Sequence, residues 1–105
     1  MALIVYWTEF AENKLLRIKN YYKKKISLSF AISIVDGIID ETIGLEKNPY
    51  IGQVEPTLAK KPQKFRYLIH KSYKIIYWIN KKKNRIDIAN VFDTRQDPTK
   101  IEQSE

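Results

Sequence analysis

The chain contains no cysteine, one histidine, three glycines and four prolines in 105 residues. Without cysteine, disulfides, iron–sulfur clusters and cysteine-ligated zinc are excluded, and a reducing cytoplasm is the expected compartment. One histidine among scattered carboxylates makes no metal-ligand set, and so few glycines do not build a phosphate-cradling loop, so neither a metal nor a cofactor is expected. No Ser-His-Asp or Cys-His arrangement is visible. No apolar run approaches the ~18 residues a membrane span needs, and residues 1–8 carry no basic run leading into a long apolar stretch, so no signal peptide and no membrane partner are expected. Acidic charge is missing where it matters most: residues 60–85 hold none.

What is present is a chain of 44% hydrophobic and 30% charged residues. That length fits a single domain over residues 1–105, with a short polar tail from about residue 98. The formal net charge is +7 and the sequence pI about 9.6. Residues 1–49 hold seven basic and six acidic side chains, whereas residues 60–85 hold ten basic ones. A surface of one sign focuses a field that attracts anionic partners. The plainer reading is that lysines solvate strand edges and turns.

Hydrophobic periodicity orders the chain as β-α-α-β-β-β. Leu3 to Trp7 reads as a first strand. Thr8 caps a helix from Glu9 to about Lys23–Lys25, with Ala11, Leu15, Ile18 and Tyr22 along one stripe and three lysines suited to its C-terminus. Ser27 or Ser29 caps a second helix running to about Lys47, with Phe30, Ala31, Ile34, Val35, Ile38 and Ile39 as its apolar set. Gly37 costs that helix about 1 kcal/mol of propensity relative to alanine and marks close approach to a neighbour. Asn48-Pro49 ends it, and Pro49–Lys64 reads as irregular. Three strands follow: Phe65–His70, Tyr73–Ile79 and Arg85–Asp93. The middle one carries Tyr73, Ile75, Tyr77 and Ile79 on one face and Lys74, Ile76 and Trp78 on the other, so it belongs inside the sheet. Tight turns between these strands predict a mainly antiparallel sheet. The expected fold is α+β: a helical hairpin packed on a curved sheet, one face of which stays partly open.

On that open face the reading collects Arg66, His70, Lys71, Lys74, Arg85 and, past the last strand, Arg95. Arg66 interrupts apolar neighbours and suits a bidentate phosphate contact; the plainer alternative is a salt bridge to Glu55 or Asp87. His70, the side chain whose ordinary pKa lies near neutrality, could serve as base or acid if the chain cleaves RNA, with Lys71, Arg66 and Arg95 supplying cations to the phosphorane; at the mouth of a hairpin the ordinary surface role is the favoured reading, and His70 and Lys71 are the weaker candidates. Arg95 follows Val91-Phe92-Asp93-Thr94 at a strand end. Lys81, Lys82 and Lys83 form a charge run at a turn, either solvated surface or non-specific RNA attraction. Trp7, Tyr22, Tyr77 and Trp78 fall at periodic apolar positions and read mostly as core or as a protein-binding surface; Tyr73 and Tyr67 are the aromatics expected to be exposed.

Several of these pieces, in this order, resemble the RelE/ParE family of bacterial type II toxin–antitoxin toxins over residues 2–101. They are Tyr6-Trp7; Ala11, Leu15, Ile18 and Tyr21-Tyr22; Ala31, Ile34, Ile38 and Ile39; Pro49-Tyr50-Ile51-Gly52-Gln53, similar to a Pro-x-x-Gly element; Arg66 followed by Tyr73-Lys74-Ile75-Ile76-Tyr77; and Val91-Phe92-Asp93-Thr94-Arg95-Gln96-Asp97-Pro98. The resemblance implies two helices on an antiparallel sheet and a growth-arresting toxin neutralised by a cognate antitoxin. It implies one of two targets, ribosome-bound mRNA cut without a metal or DNA gyrase bound without nuclease chemistry. Arg66 and Arg95 match two arginines of the cleaving members, and Arg66, Lys71, Tyr73, Lys74, Lys81, Lys82, Lys83, Arg85 and Arg95 become the candidate target-binding set. The cleaving members' C-terminal tyrosine or histidine–tyrosine pair has no counterpart after Tyr77: Phe92-Asp93 stands there instead. No helix carries a basic recognition face, so operator DNA is expected to be bound only through the antitoxin complex. The alternative reading is a non-toxic nucleic-acid-binding module.

Overall fold

The computed structural model describes residues 3–103. Strand β1 (Ile4–Trp7) leads into helix α1 (Glu9–Lys25), and a tight turn leads to helix α2 (Leu28–Ile43). The short strand β2 (Gln53–Val54) precedes β3 (Arg66–His70), β4 (Tyr73–Asn80) and β5 (Arg85–Asp93). Both helix starts are capped as expected: Thr8 Oγ1 accepts from the Ala11 amide at 3.2 Å and Ser27 Oγ from the Phe30 amide at 3.1 Å. The Thr8 hydroxyl also donates to the Ile88 carbonyl at 2.8 Å, so one side chain starts α1 and ties it to β5.

The sheet has five strands in the order β1-β5-β4-β3-β2. Its β2–β3, β3–β4 and β4–β5 pairs are antiparallel, while β1 runs parallel to β5. Three departures from the sequence reading have local causes. Helix α2 stops at Ile43, and a 3₁₀ turn over Gly44–Glu46, not the helix itself, carries Leu45 into the core. The stretch expected to be irregular contains β2, an edge strand too short for any periodicity to betray. The expected polar tail folds back as a 3₁₀ helix over Pro98–Gln103, burying Ile101.

Strand β4 is apolar on both sides, and each side has its own cover. Against α1 and α2 lies one cluster built on Ala11, Ile34, Ile38, Ile75, Tyr77 and Ile88. On the opposite side Ile76, Ala89 and Phe92 pack with Phe65, Leu58 and Ile101, the last two delivered by the 3₁₀ turns over Pro56–Leu58 and Pro98–Gln103. The face expected to be open is therefore largely closed in its middle. A register shift lies opposite the Ile76–Tyr77 step, where Asn90 pairs with Ile76 and Ile88 with Tyr77, leaving Ala89 as the extra residue of a bulge. Before the bulge Ile86 and Ile88 face the helices; after it Val91 does, and Phe92 turns to the other cluster.

Two polar devices lock this arrangement. The Tyr77 hydroxyl accepts from the Gly52 amide at 2.9 Å and donates to the Pro49 carbonyl at 2.8 Å, clasping the turn that leads into β2. A Cβ on Gly52 would lie 2.5 Å from that hydroxyl and 2.7 Å from the Tyr67 carbonyl oxygen, so the close approach requires glycine. Glu55, at 0% exposure, pairs with Lys74 at 2.7 Å and accepts from the Thr57 amide and hydroxyl. Burial alone pushes the Glu55 carboxyl up, but Lys74 and Thr57 outweigh it and hold it below its ordinary value of 4.5.

Tyr77→Phe leaves the Gly52 amide and Pro49 carbonyl unpartnered and is expected to lower unfolding free energy by about 1–3 kcal/mol in urea denaturation. A carboxyl depressed on folding contributes stability above its unfolded value and loses it as pH falls through its folded value. Stability measured from pH 7 down through 4.5 should therefore fall less steeply on its acid limb in Glu55→Gln than in the parent chain.

Candidate functional site

The structure distributes the expected cationic set over both sides of the sheet. Leu68 packs with the helix-side cluster, and side chains two apart on a strand share a face, so Arg66 and His70 lie on the helix side as well. The reading that placed them on the open face is corrected by that alternation. His70 packs its imidazole against Gly37 of α2, where an added Cβ would collide with Nε2, and its Nδ1 lies 3.9 Å from Glu41. The close approach expected at Gly37 is thus made by β3, and His70 is the docking group. Lys74 and Arg85 lie on the opposite face. Lys74 is held by Glu55 and sits 4.4 Å above the Tyr67 ring; Arg85 is held by Asp87 at 2.6 Å and stacks 3.8 Å over Tyr6. Lys71 occupies the β3–β4 turn in a left-handed conformation, φ 53°.

Arg66 does not form the salt bridge considered from sequence, since Lys74 occupies Glu55 and Arg85 occupies Asp87. Its Nη1 donates to the Gly52 carbonyl at 2.7 Å and to the Tyr50 carbonyl at 3.3 Å, and its guanidinium lies 5.2 Å from the Tyr50 ring. Arg66 and Tyr77 are paired across β3–β4, so both grip the same Pro49–Gly52 turn from one face. The Pro-x-x-Gly element, Arg66 and Tyr77 are one structural unit. Beyond it Arg66 lines a shallow cleft of about 260 Å³ with Lys64, Lys81 and Tyr50.

Arg95 lies at the far end of β4. Its Nε and Nη2 grip the Asp93 carboxylate at 2.8–3.2 Å, and its amide donates to the same carboxylate at 2.9 Å. The hydrogen bond from Arg95 is the main cause that holds the Asp93 carboxyl below its ordinary value. Asp93 is paired with Tyr73 and Arg66 with Tyr77. Along β4 the two pairs stand four residues apart, about 13 Å, and Arg66 and Asp93 lie on opposite neighbours of that strand.

Arg95 borders a larger cleft of about 450 Å³ between α1 and the end of β5, whose walls carry Lys14, Arg17, Tyr21, Tyr73 and Asp93 over Ile18 and Val91. Tyr73, expected to be exposed, is 4% exposed; its hydroxyl donates to that of Tyr22 at 3.3 Å. Burial first, then Tyr22 and Asp93, push its phenol well above the ordinary value, so it remains protonated at neutral pH. Lys14, Arg17 and Tyr21 were missed from sequence because helical periodicity places them beside the apolar stripe without saying what they face. Only the bulge in β5, which turns Val91 toward α1, brings the two elements' polar side chains together.

The structure is similar to one from the chromosomal ParDE TA system of P. aeruginosa, with a TM-score of 0.73, 19% sequence identity, and coverage of 88% of this chain and 96% of that one. No curated protein matches the sequence. The family model for the ParE toxin of the type II toxin–antitoxin system parDE matches residues 5–98. The chain therefore belongs to the ParE toxin family of type II toxin–antitoxin systems.

Proposed function

We propose that this toxin arrests growth in the bacterial cytoplasm by binding DNA gyrase, without cutting RNA, and that a cognate antitoxin holds it inactive. The observation that carries this reading is the separation of Arg66 and Arg95. Cleavage of ribosome-bound mRNA needs cations converging on one phosphate together with a proton acceptor and donor. Arg66 and Arg95 line different clefts, and the Arg66 guanidinium is taken up by main-chain carbonyls of the Pro49–Gly52 turn. The groups able to move a proton are held inside the fold: His70 packs on Gly37, and the buried Tyr73 hydroxyl donates to that of Tyr22. A basic surface around Lys81, Lys82 and Lys83 suits electrostatic capture of a large anionic target such as gyrase with its DNA. An antitoxin is supported by the outer side of α2, which exposes Leu28, Ile32, Ile39 and Ile43 in a row that needs cover.

Inducible expression in a bacterial host, followed by primer extension on an abundant transcript and by trapping of gyrase–DNA cleavage complexes, tests the target. Arrest with intact transcripts and trapped DNA breaks is expected; new 5′ ends inside translated codons would instead assign the chain to mRNA cleavage. Arrest relieved by the antitoxin supports the neutralisation, and no arrest at all would favour a non-toxic nucleic-acid-binding module. In urea denaturation Arg66→Ala should lose about 1–2 kcal/mol, because the Gly52 carbonyl loses its charged donor, whereas Arg95→Ala stays within about 0.5 kcal/mol. The reverse order would show that Arg66, not Arg95, is free to engage a target.

A further inference from the structure

We propose that the cleft between α1 and the end of β5 binds a nucleoside phosphate, with Lys14, Arg17 and Arg95 holding the phosphate and Tyr21 supporting the base. The proposal does not depend on which macromolecule the toxin attacks.

The cations lining the cleft, Lys14, Arg17 and Arg95, outnumber its one carboxylate, Asp93. Lys14 is half-buried, its Nζ lies 5.6 Å from the Phe10 ring and 6.0 Å from that of Phe92, and no carboxylate lies within ion-pair distance of it among the described residues. Burial first, and then the neighbouring Arg17, lower its pKa from the ordinary 10.5, against a smaller opposing pull from Asp93. Arg17 stands one turn further along the same helix face. Asp93, the acidic residue of the cleft wall, is taken up by Arg95 through Nε and Nη2, and the Tyr22 hydroxyl also bonds that guanidinium, so its plane is fixed at the cleft edge. Three cations thus face one carboxylate that is already engaged.

The remaining features set the ligand class. Tyr21 lines the cleft, is half-exposed, and meets the Tyr22 ring edge-on, with centroids 5.0 Å apart and planes at 85°. An exposed aromatic ring beside clustered cations is the pairing that receives a base and its phosphate. The cleft volume of about 450 Å³ falls within the range of roughly 300–1,000 Å³ typical of small-molecule sites. An acidic peptide would satisfy the cations but make no use of the ring, which separates the two ligand classes experimentally.

Isothermal titration of the full chain with ATP, AMP, adenosine, pyrophosphate and a tetraglutamate peptide tests the assignment. Saturable one-to-one binding of ATP is expected, stronger than that of pyrophosphate, with adenosine far weaker. Arg17→Ala should weaken ATP binding on the order of tenfold, the loss of one charge-assisted contact. Tyr21→Ala should bring ATP down to the affinity of pyrophosphate. Both side chains are exposed, so neither variant threatens the fold. Lys47→Ala, at the opposite end of the helical hairpin, should bind as the parent does. Absence of saturation at millimolar ATP overturns the proposal. So does equal binding of ATP, pyrophosphate and tetraglutamate with no effect of Tyr21→Ala, or an equal loss in Lys47→Ala, which would reduce the attraction to diffuse charge.

Discussion

Strand β4 has to be covered on both faces, and the rest of the molecule is arranged around that requirement. Ile75 and Tyr77 on one side and Ile76 on the other are fully buried. Each such side chain contributes about 1.5–3 kcal/mol only if water is excluded from it. The helical hairpin is wide enough for one face. The other is closed by two short 3₁₀ segments, over Pro56–Leu58 and Pro98–Gln103, which contribute little more than Leu58 and Ile101. A chain of 105 residues thus builds two small clusters on one strand.

Covering both faces decides where charge can go. The cations that a one-sided sheet would display together are divided among the two faces, the turns and the ends of strands. Several are used inside the fold: Lys74 compensates buried Glu55, Arg66 caps the carbonyls of the Pro49–Gly52 turn, and Arg85 lies between Asp87 and the Tyr6 ring. A buried carboxylate such as Glu55 is tolerated only because its ammonium and hydroxyl partners are supplied together. Among the described residues, Lys81–Lys83 at the β4–β5 turn and Lys14 and Arg17 on α1 make no ion pair with a carboxylate.

Much of the fold was legible because it depends on local pattern. Thr8 and Ser27 cap the helices the periodicity predicts, Gly37 marks a close approach, and the double apolar alternation of Tyr73–Ile79 identifies the inner strand. The alternation of Arg66, Leu68 and His70 was also readable, and Leu68 could have assigned that face to the helices. Tyr73 was misjudged as exposed although it shares a face with Ile75 and Tyr77, because its place beside a turn was weighed above that alternation. The edge strand Gln53–Val54 pairs with Tyr67 and Arg66 at a distance in sequence, and two residues carry no period.

The sequence alone determined the element types, the order β-α-α-β-β-β of the longer elements, the basic second half and the family resemblance, because these rest on spacing between near neighbours. Tertiary structure alone decided the rest. It closed the second face with Ile101, turned the Pro-x-x-Gly element, Arg66 and Tyr77 into a clasp, and used a one-residue bulge at Ala89 to bring Asp93 and Arg95 beside Lys14 and Arg17. The physical reason is that a bulge reverses which face every later side chain occupies, and no local pattern in β5 records where its partner strand will slip.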